Sequence, residues 1–176
     1  MLSNSSAAIE RYKRELDRYT LEQLRYQSEP DVWSVGQMIV HVIGVADEYM
    51  GHMQTCADAR YEEPGGKSET GEIVFLEKSW PDVRVKLDEP VNDTPNPRSK
   101  AELIDELDRV IRELNEWEAR LPAVNPSGKV RHGWFGWLNA REWFELIDIH
   151  SRHHLRQQAR LDEKLAEAER KGVKDE

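Results

Sequence analysis

Apolar residues recur at spacings of three and four along most of the chain, the pattern of amphipathic helices. Ile9, Tyr12, Leu16 and Tyr19 place one such stripe on a first helix over 5–19. Thr20-Leu-Glu-Gln23 has the form of a capping box and opens a short turn that ends near Ser28-Glu-Pro30. In Trp33-Ser-Val-Gly-Gln37, Ser34 and Gln37 are again spaced to cap each other's free N–H groups. The second helix then runs over 35–57 and buries Val35, Met38, Val42, Val45 and Tyr49. Ser99-Lys-Ala-Glu102 starts a third helix with Leu103, Leu107, Val110, Ile111, Leu114, Trp117 and Leu121 facing inward. Pro122, Pro126 and Gly128 punctuate a loop, and Asn139-Ala-Arg-Glu142 caps a fourth helix that runs to about Ala168.

The helical pattern breaks over 58–98, which holds Gly65, Gly66, Gly71, Pro90, Pro95 and Pro97. Inside it, IVFLEKSWPDVRVKL (73–87) alternates like short strands, and the segment is read as an insertion containing a hairpin or an irregular flap. Residues 169–176 are charged and read as a frayed tail. No repeat, low-complexity tract or long linker divides the chain. The expectation is one all-α domain over 1–176, a four-helix bundle with an irregular insertion between its second and third helices.

Composition narrows the function classes. A formal net charge of -9, with 34% of residues charged, describes a soluble protein without the basic face of a nucleic-acid binder. No stretch approaches 18 consecutive apolar residues, so no membrane span is expected. The N-terminus lacks a basic start followed by an apolar block, which argues against a secretory signal. The lone cysteine, Cys56, forms no intrachain disulfide, and a reducing cytoplasm is its natural compartment.

The chemistry concentrates in the fourth helix, where LIDIHSRHHLRQQARL holds half of the six histidines. Its apolar stripe enters as Trp143, Leu146 and Ile147 and leaves as Leu161 and Leu165. Continuing the same phase lands on His150, His154 and Gln157, so these side chains point into the bundle. Imidazoles four residues apart lie on one face about 6 Å apart and can share a cation. His41 lies on the inward stripe of the second helix beside Met38, Val42 and Val45. A buried imidazole needs a partner, and a metal shared by the three would satisfy all of them; hydrogen bonding to neighbours is the plainer alternative. Three histidines with an open fourth position suit a catalytic zinc or nickel site. His153 falls off the stripe as a rim residue, and His52 lies about 16 Å along the helix from His41, too far for the same ion. His132, in the loop before the fourth helix, lines a pocket mouth or is exposed, and Trp134 and Trp137, which fit the helical stripes less readily, are candidates to wall a pocket.

Two stretches carry a family resemblance. TLEQLRYQSEPDVWSVGQMIVHV resembles the N-terminal signature of the DinB/YfiT-like superfamily, in which a Trp-Ser pair opens the helix bearing the first metal histidine. RHGWFGWLNAREWFELIDIHSRHHLRQ resembles its C-terminal signature: a His-x-x-Phe-Gly loop, a tryptophan on the last helix, and a His-x-x-His-His-x-x-Gln run. The resemblance implies a four-helix bundle, frequently dimeric, that holds zinc or nickel through His41, His150 and His154. It further implies a small-molecule substrate. Characterised relatives include thiol S-transferases that use low-molecular-weight thiols and a thiol-dependent isomerase, and many others are named only as metal-dependent hydrolases. The family often has Glu where Gln37 stands, so one acid is missing near the site. Glu48 lies seven residues beyond His41, about 10 Å along the helix, and is poorly placed as a general base. The functional expectation is a metal-dependent enzyme that activates a thiol or a water. The alternatives are a bundle that binds metal or ligand without turnover and a metal-free bundle.

Overall fold

A computed structural model of the chain describes residues 5–81 and 94–172. Its elements are α1 (Ser5–Glu15), α2 (Leu21–Arg25), α3 (Val35–Asp58), α4 (Glu69–Glu77), α5 (Lys100–Arg120), β1 (Lys129–His132), β2 (Gly136–Asn139) and α6 (Ala140–Gly172). The helix starts fall where polar side chains can take up free N–H groups. Thr20 with Gln23, and Ser34 with Gln37, close reciprocal capping boxes. Asn139 and Glu142 do the same at the head of α6, and the Ser99 hydroxyl accepts from the Glu102 amide. Each such cap is worth about 1 kcal/mol and fixes the helical phase of everything that follows.

Contacts along the helices give their directions. Tyr12 reaches the carbonyl of Ser151 and Tyr19 reaches Asp162, each at 2.6 Å, so α1 and α6 run parallel. Lys13 meets Asp108 while Lys100 meets the Tyr19 carbonyl, which makes α1 and α5 antiparallel. Arg109 pairs with Asp47 and Arg120 with Gln54, so α3 and α5 run parallel. Trp33 faces His154 and Tyr49 faces Trp143, which makes α3 antiparallel to α6. The bundle is therefore up-down-down-up, and its core is filled by residues such as Tyr12, Met38, Leu107, Leu114 and Trp143. Parallel neighbours need a long crossover, and the chain between α3 and α5 must return along the bundle. That return brings α4 and Trp80 alongside α6: Lys78 pairs with Glu145, and its carbonyl accepts from Arg152. At its end, the segment is tied to the head of α3, where Asn96 accepts from Ser34 and Thr94 from Gln37.

Four local expectations are corrected. Residues 73–77, read as strand-like, belong to α4; the Ser68 hydroxyl accepts from the Gly71 amide and starts a helix that an unbroken apolar run cannot be told from. Residues 82–93, the rest of that expected hairpin, lie outside the described residues. The hairpin that does occur is β1–β2, in the stretch read as loop, with His132 opposite Gly136. Gly136 takes φ +79, and a Cβ there would sit 2.5 Å from the Ser68 amide nitrogen, so only glycine fits. The last helix continues through Gly172, beyond the expected end near Ala168, and 173–176, the remainder of the expected tail, lie outside the described residues. The first helix gives way to a 3-10 turn at Leu16–Arg18. Among the described residues no helix is long and apolar enough to cross a membrane.

Candidate metal centre

Two capping boxes aim the ligands. Ser34–Gln37 sets the phase of α3 so that His41 faces α6, and Asn139–Glu142 sets α6 so that His150 and His154 face α3. One nitrogen from each of the three histidines lies within 4.8 Å of the others. Ring centroids are 5.2 Å apart for His41 and His150, 4.9 Å for His41 and His154, and 4.5 Å for His150 and His154. His150 and His154 are buried and His41 is half-buried.

Burial decides the charge state. It lowers the pKa of His41 to about 4, with His153 adding to the effect. It lowers His154 to about 3, helped by His41 and opposed by the hydrogen bond to Gln157. His150 is lowered well below its ordinary value, first by burial and then by His154 and His41. All three are neutral at physiological pH, the state a metal ligand requires.

The tautomers agree with that role. His154 Nδ1 lies 2.6 Å from Gln157 Oε1, which accepts its proton and leaves the lone pair on Nε2. That nitrogen is 3.1 Å from His150 Nε2. Without an ion, one proton must be shared between the two; with one, both lone pairs turn to the cation. The three residues fit a divalent metal held by imidazoles with a position left open.

Aromatic side chains wall the cluster. Trp33 lies 4.8 Å from His41, and Trp80 lies 5.2 Å from His150 and 5.9 Å from His153. Tyr49 sits 6.1 Å from His150. Of the other sequence-predicted residues, His153 stands at the rim beside Trp80 and Arg156, and Gln157 holds His154. His132 packs flat on Phe135, 5.5 Å from Trp143; burial, with His52, lowers its pKa to about 4. Trp137 is placed over Gly65, with its amide donating to the Gly66 carbonyl, so it fastens the start of the crossover to the hairpin. His52 packs on Trp143 and pairs with Glu48, whose side chain is 63% exposed. Of the walls, Trp33 stands in the Trp-Ser pair and Tyr49 on the buried stripe of the second helix, but neither these nor Trp80 is marked by the sequence as a site residue. Tyr49, eight residues after His41 on one stripe, carried a usable signal; Trp80, in a segment without clear helical phase, carried none. Cys56 is buried, and its thiol faces the Leu138 carbonyl.

The sequence model of the DinB superfamily matches residues 6–158, a span that includes α3, the hairpin and α6 as far as Gln158, and with them all three histidines of the cluster. No curated protein and no solved structure matches the chain.

Proposed function

The chain belongs to the DinB superfamily, and from that premise we propose that it is a metal-dependent enzyme holding zinc or nickel through His41, His150 and His154. The observation that carries the reading is the meeting of three neutral imidazoles from two helices, with ligand atoms within 4.8 Å of one another. Such an ion, when bound, supplies a Lewis acid that lowers the pKa of a thiol or water entering its open position. Gln157 keeps the His154 lone pair directed inward, and Trp33 and Trp80 limit water around the cluster.

Between the two chemistries, thiol transfer is favoured over hydrolysis. Hydrolysis calls for a general base beside the attacking water. Among the described residues no carboxylate joins the three histidines, and Gln37, one turn before His41, is an amide. A thiol needs no such base, so a low-molecular-weight thiol is the proposed co-substrate, in a cytoplasmic homodimer.

Metal analysis of the untagged protein tests the first step: about one equivalent of zinc or nickel is expected, with a lower melting temperature after chelation. Less than about a tenth of an equivalent, with no stability change on chelation, overturns it. Conjugation of glutathione or a related thiol to a haloaromatic electrophile, lost in His154→Ala, tests the second. Metal binding without thiol-dependent turnover would leave a non-catalytic metal protein.

A further inference from the structure

Next to the three histidines lies a second group of polar atoms that the metal reading does not use. The rings of Tyr49, His132 and Trp143 form one cluster, with centroids 4.9 Å apart for Tyr49 and Trp143, 6.2 Å for Tyr49 and His132, and 5.5 Å for His132 and Trp143. Tyr49 is also 6.1 Å from His150, so the cluster adjoins the metal ligands along the α3–α6 seam.

Each of the three brings a donor without an acceptor. Trp143 is 1% exposed, and its Nε1–H is buried with no partner. Tyr49 is 6% exposed, and its hydroxyl makes no hydrogen bond among the described residues. His132 Nδ1 accepts from the amides of Trp134 at 3.1 Å and Phe135 at 3.2 Å. The proton of the neutral ring is therefore on Nε2, which has no acceptor among the described residues. Phe135, stacked on His132 at 4.3 Å and 9°, holds that ring in place. The acid adjoining Tyr49, Glu48, is solvent-exposed and paired with His52.

A buried donor is ordinarily matched by an acceptor, and leaving the Trp143 N–H unmatched costs stability, whereas the Tyr49 hydroxyl and His132 Nε2 are not buried orphan atoms and stay open to solvent or to a ligand. An arrangement of donors waiting for an oxygen is instead what a site needs when it must hold a carbonyl or carboxylate. We infer that Tyr49, His132 and Trp143 form a subsite that binds a carboxylate or carbonyl oxygen of the molecule acted on at the three histidines. The inference rests on the metal reading for its place in the reaction, but the subsite consists of other residues and can be tested without the ion.

The probe is acetate, titrated into metal-free, 15N-labelled protein against chloride at equal ionic strength, with the Trp143 indole N–H as reporter. Saturable downfield movement of that resonance is expected. Tyr49→Phe removes only the hydroxyl, and His132→Asn keeps an acceptor for the 134–135 amides while deleting the Nε2 donor. Each is expected to weaken acetate binding about tenfold, with cobalt still bound at one equivalent in the loaded protein. An indole signal unmoved by acetate, or equal affinity in both variants and the parent, overturns the subsite. Failure of cobalt to bind would overturn the metal reading alone, since the metal-free titration decides the subsite by itself.

Discussion

Lowering the pH from about 7.5 to 5.5 should leave metal affinity almost unchanged. An ordinary imidazole with a pKa of about 6.5 is about nine-tenths neutral at the first pH and about one-tenth neutral at the second. Each would lose about tenfold in its readiness to bind, so three such ligands would lose roughly a thousandfold together, or about 4 kcal/mol. Burial has already removed that competition here. His41 is lowered to about 4, His154 to about 3, and His150 well below its ordinary value. At pH 5.5 all three remain neutral in the metal-free protein, and the expected change in affinity is less than about threefold. The assay is competition against a chromophoric chelator at several pH values, corrected for the chelator's own protonation. A fall of about a hundredfold or more would show that the free histidines carry protons at pH 5.5 and refute the neutral buried cluster.

The metal-free fold should bear the consequence of the same shifts. Because His41 and His132 are lowered to about 4 in the fold, the unfolded chain takes up protons below about pH 6.5 that the native state refuses. Stability falls as pH drops from about 6.5 towards 4, by about 1.4 kcal/mol per pH unit for each such histidine; urea midpoints that stay level between pH 7 and 5.5, above the carboxylate range, would contradict this. Gln157→Leu removes the acceptor that holds His154 Nδ1–H and should weaken metal binding about 10- to 100-fold while leaving the helical circular dichroism intact. Unchanged affinity would mean that the tautomer is set elsewhere. Gly136→Ala forces a side chain into φ +79 and against the Ser68 amide, with an expected loss of about 1–3 kcal/mol in thermal unfolding; a melting temperature equal to the parent's would show that the hairpin relaxes freely.

What could be read from sequence follows from which interactions are local. The capping boxes at Thr20, Ser34 and Asn139 use residues three apart, so spacing alone located the helix starts. Once those starts are known, helical phase carries forward without tertiary information. It placed His150 and His154 on a buried face while setting His153 at the rim, as the structure has them. Partnering His41 with them required only that two inward stripes share a core. The insertion offered no such purchase. Ile73-Val-Phe-Leu76 is apolar at four consecutive positions, a run that gives a helix and a strand equal standing, and only Ser68 tipped it to α4. The true hairpin is short, and its features are non-local: Gly136 is required because Ser68 comes close, and His132 is oriented by the turn it caps.

The up-down-down-up order explains why the least legible segment ends beside the site. With α3 and α5 parallel, the connection between them must travel back along the bundle, and its described residues lie against α6. It is tied there by polar groups whose spacing in sequence announces nothing: Arg152 to the Lys78 carbonyl, Arg156 to that of Trp80, Gln37 to that of Thr94. Trp80 is thereby set on His150 as a wall of the ligand cluster. The bundle helices, bound to a helical phase, can vary little at the histidines without losing their core. The crossover, held by surface arginines and backbone carbonyls, can change its residues at small cost to the fold. The three histidines of the cluster thus lie in the part of the chain that periodicity can read, and the Trp80 wall beside them in the part that it cannot.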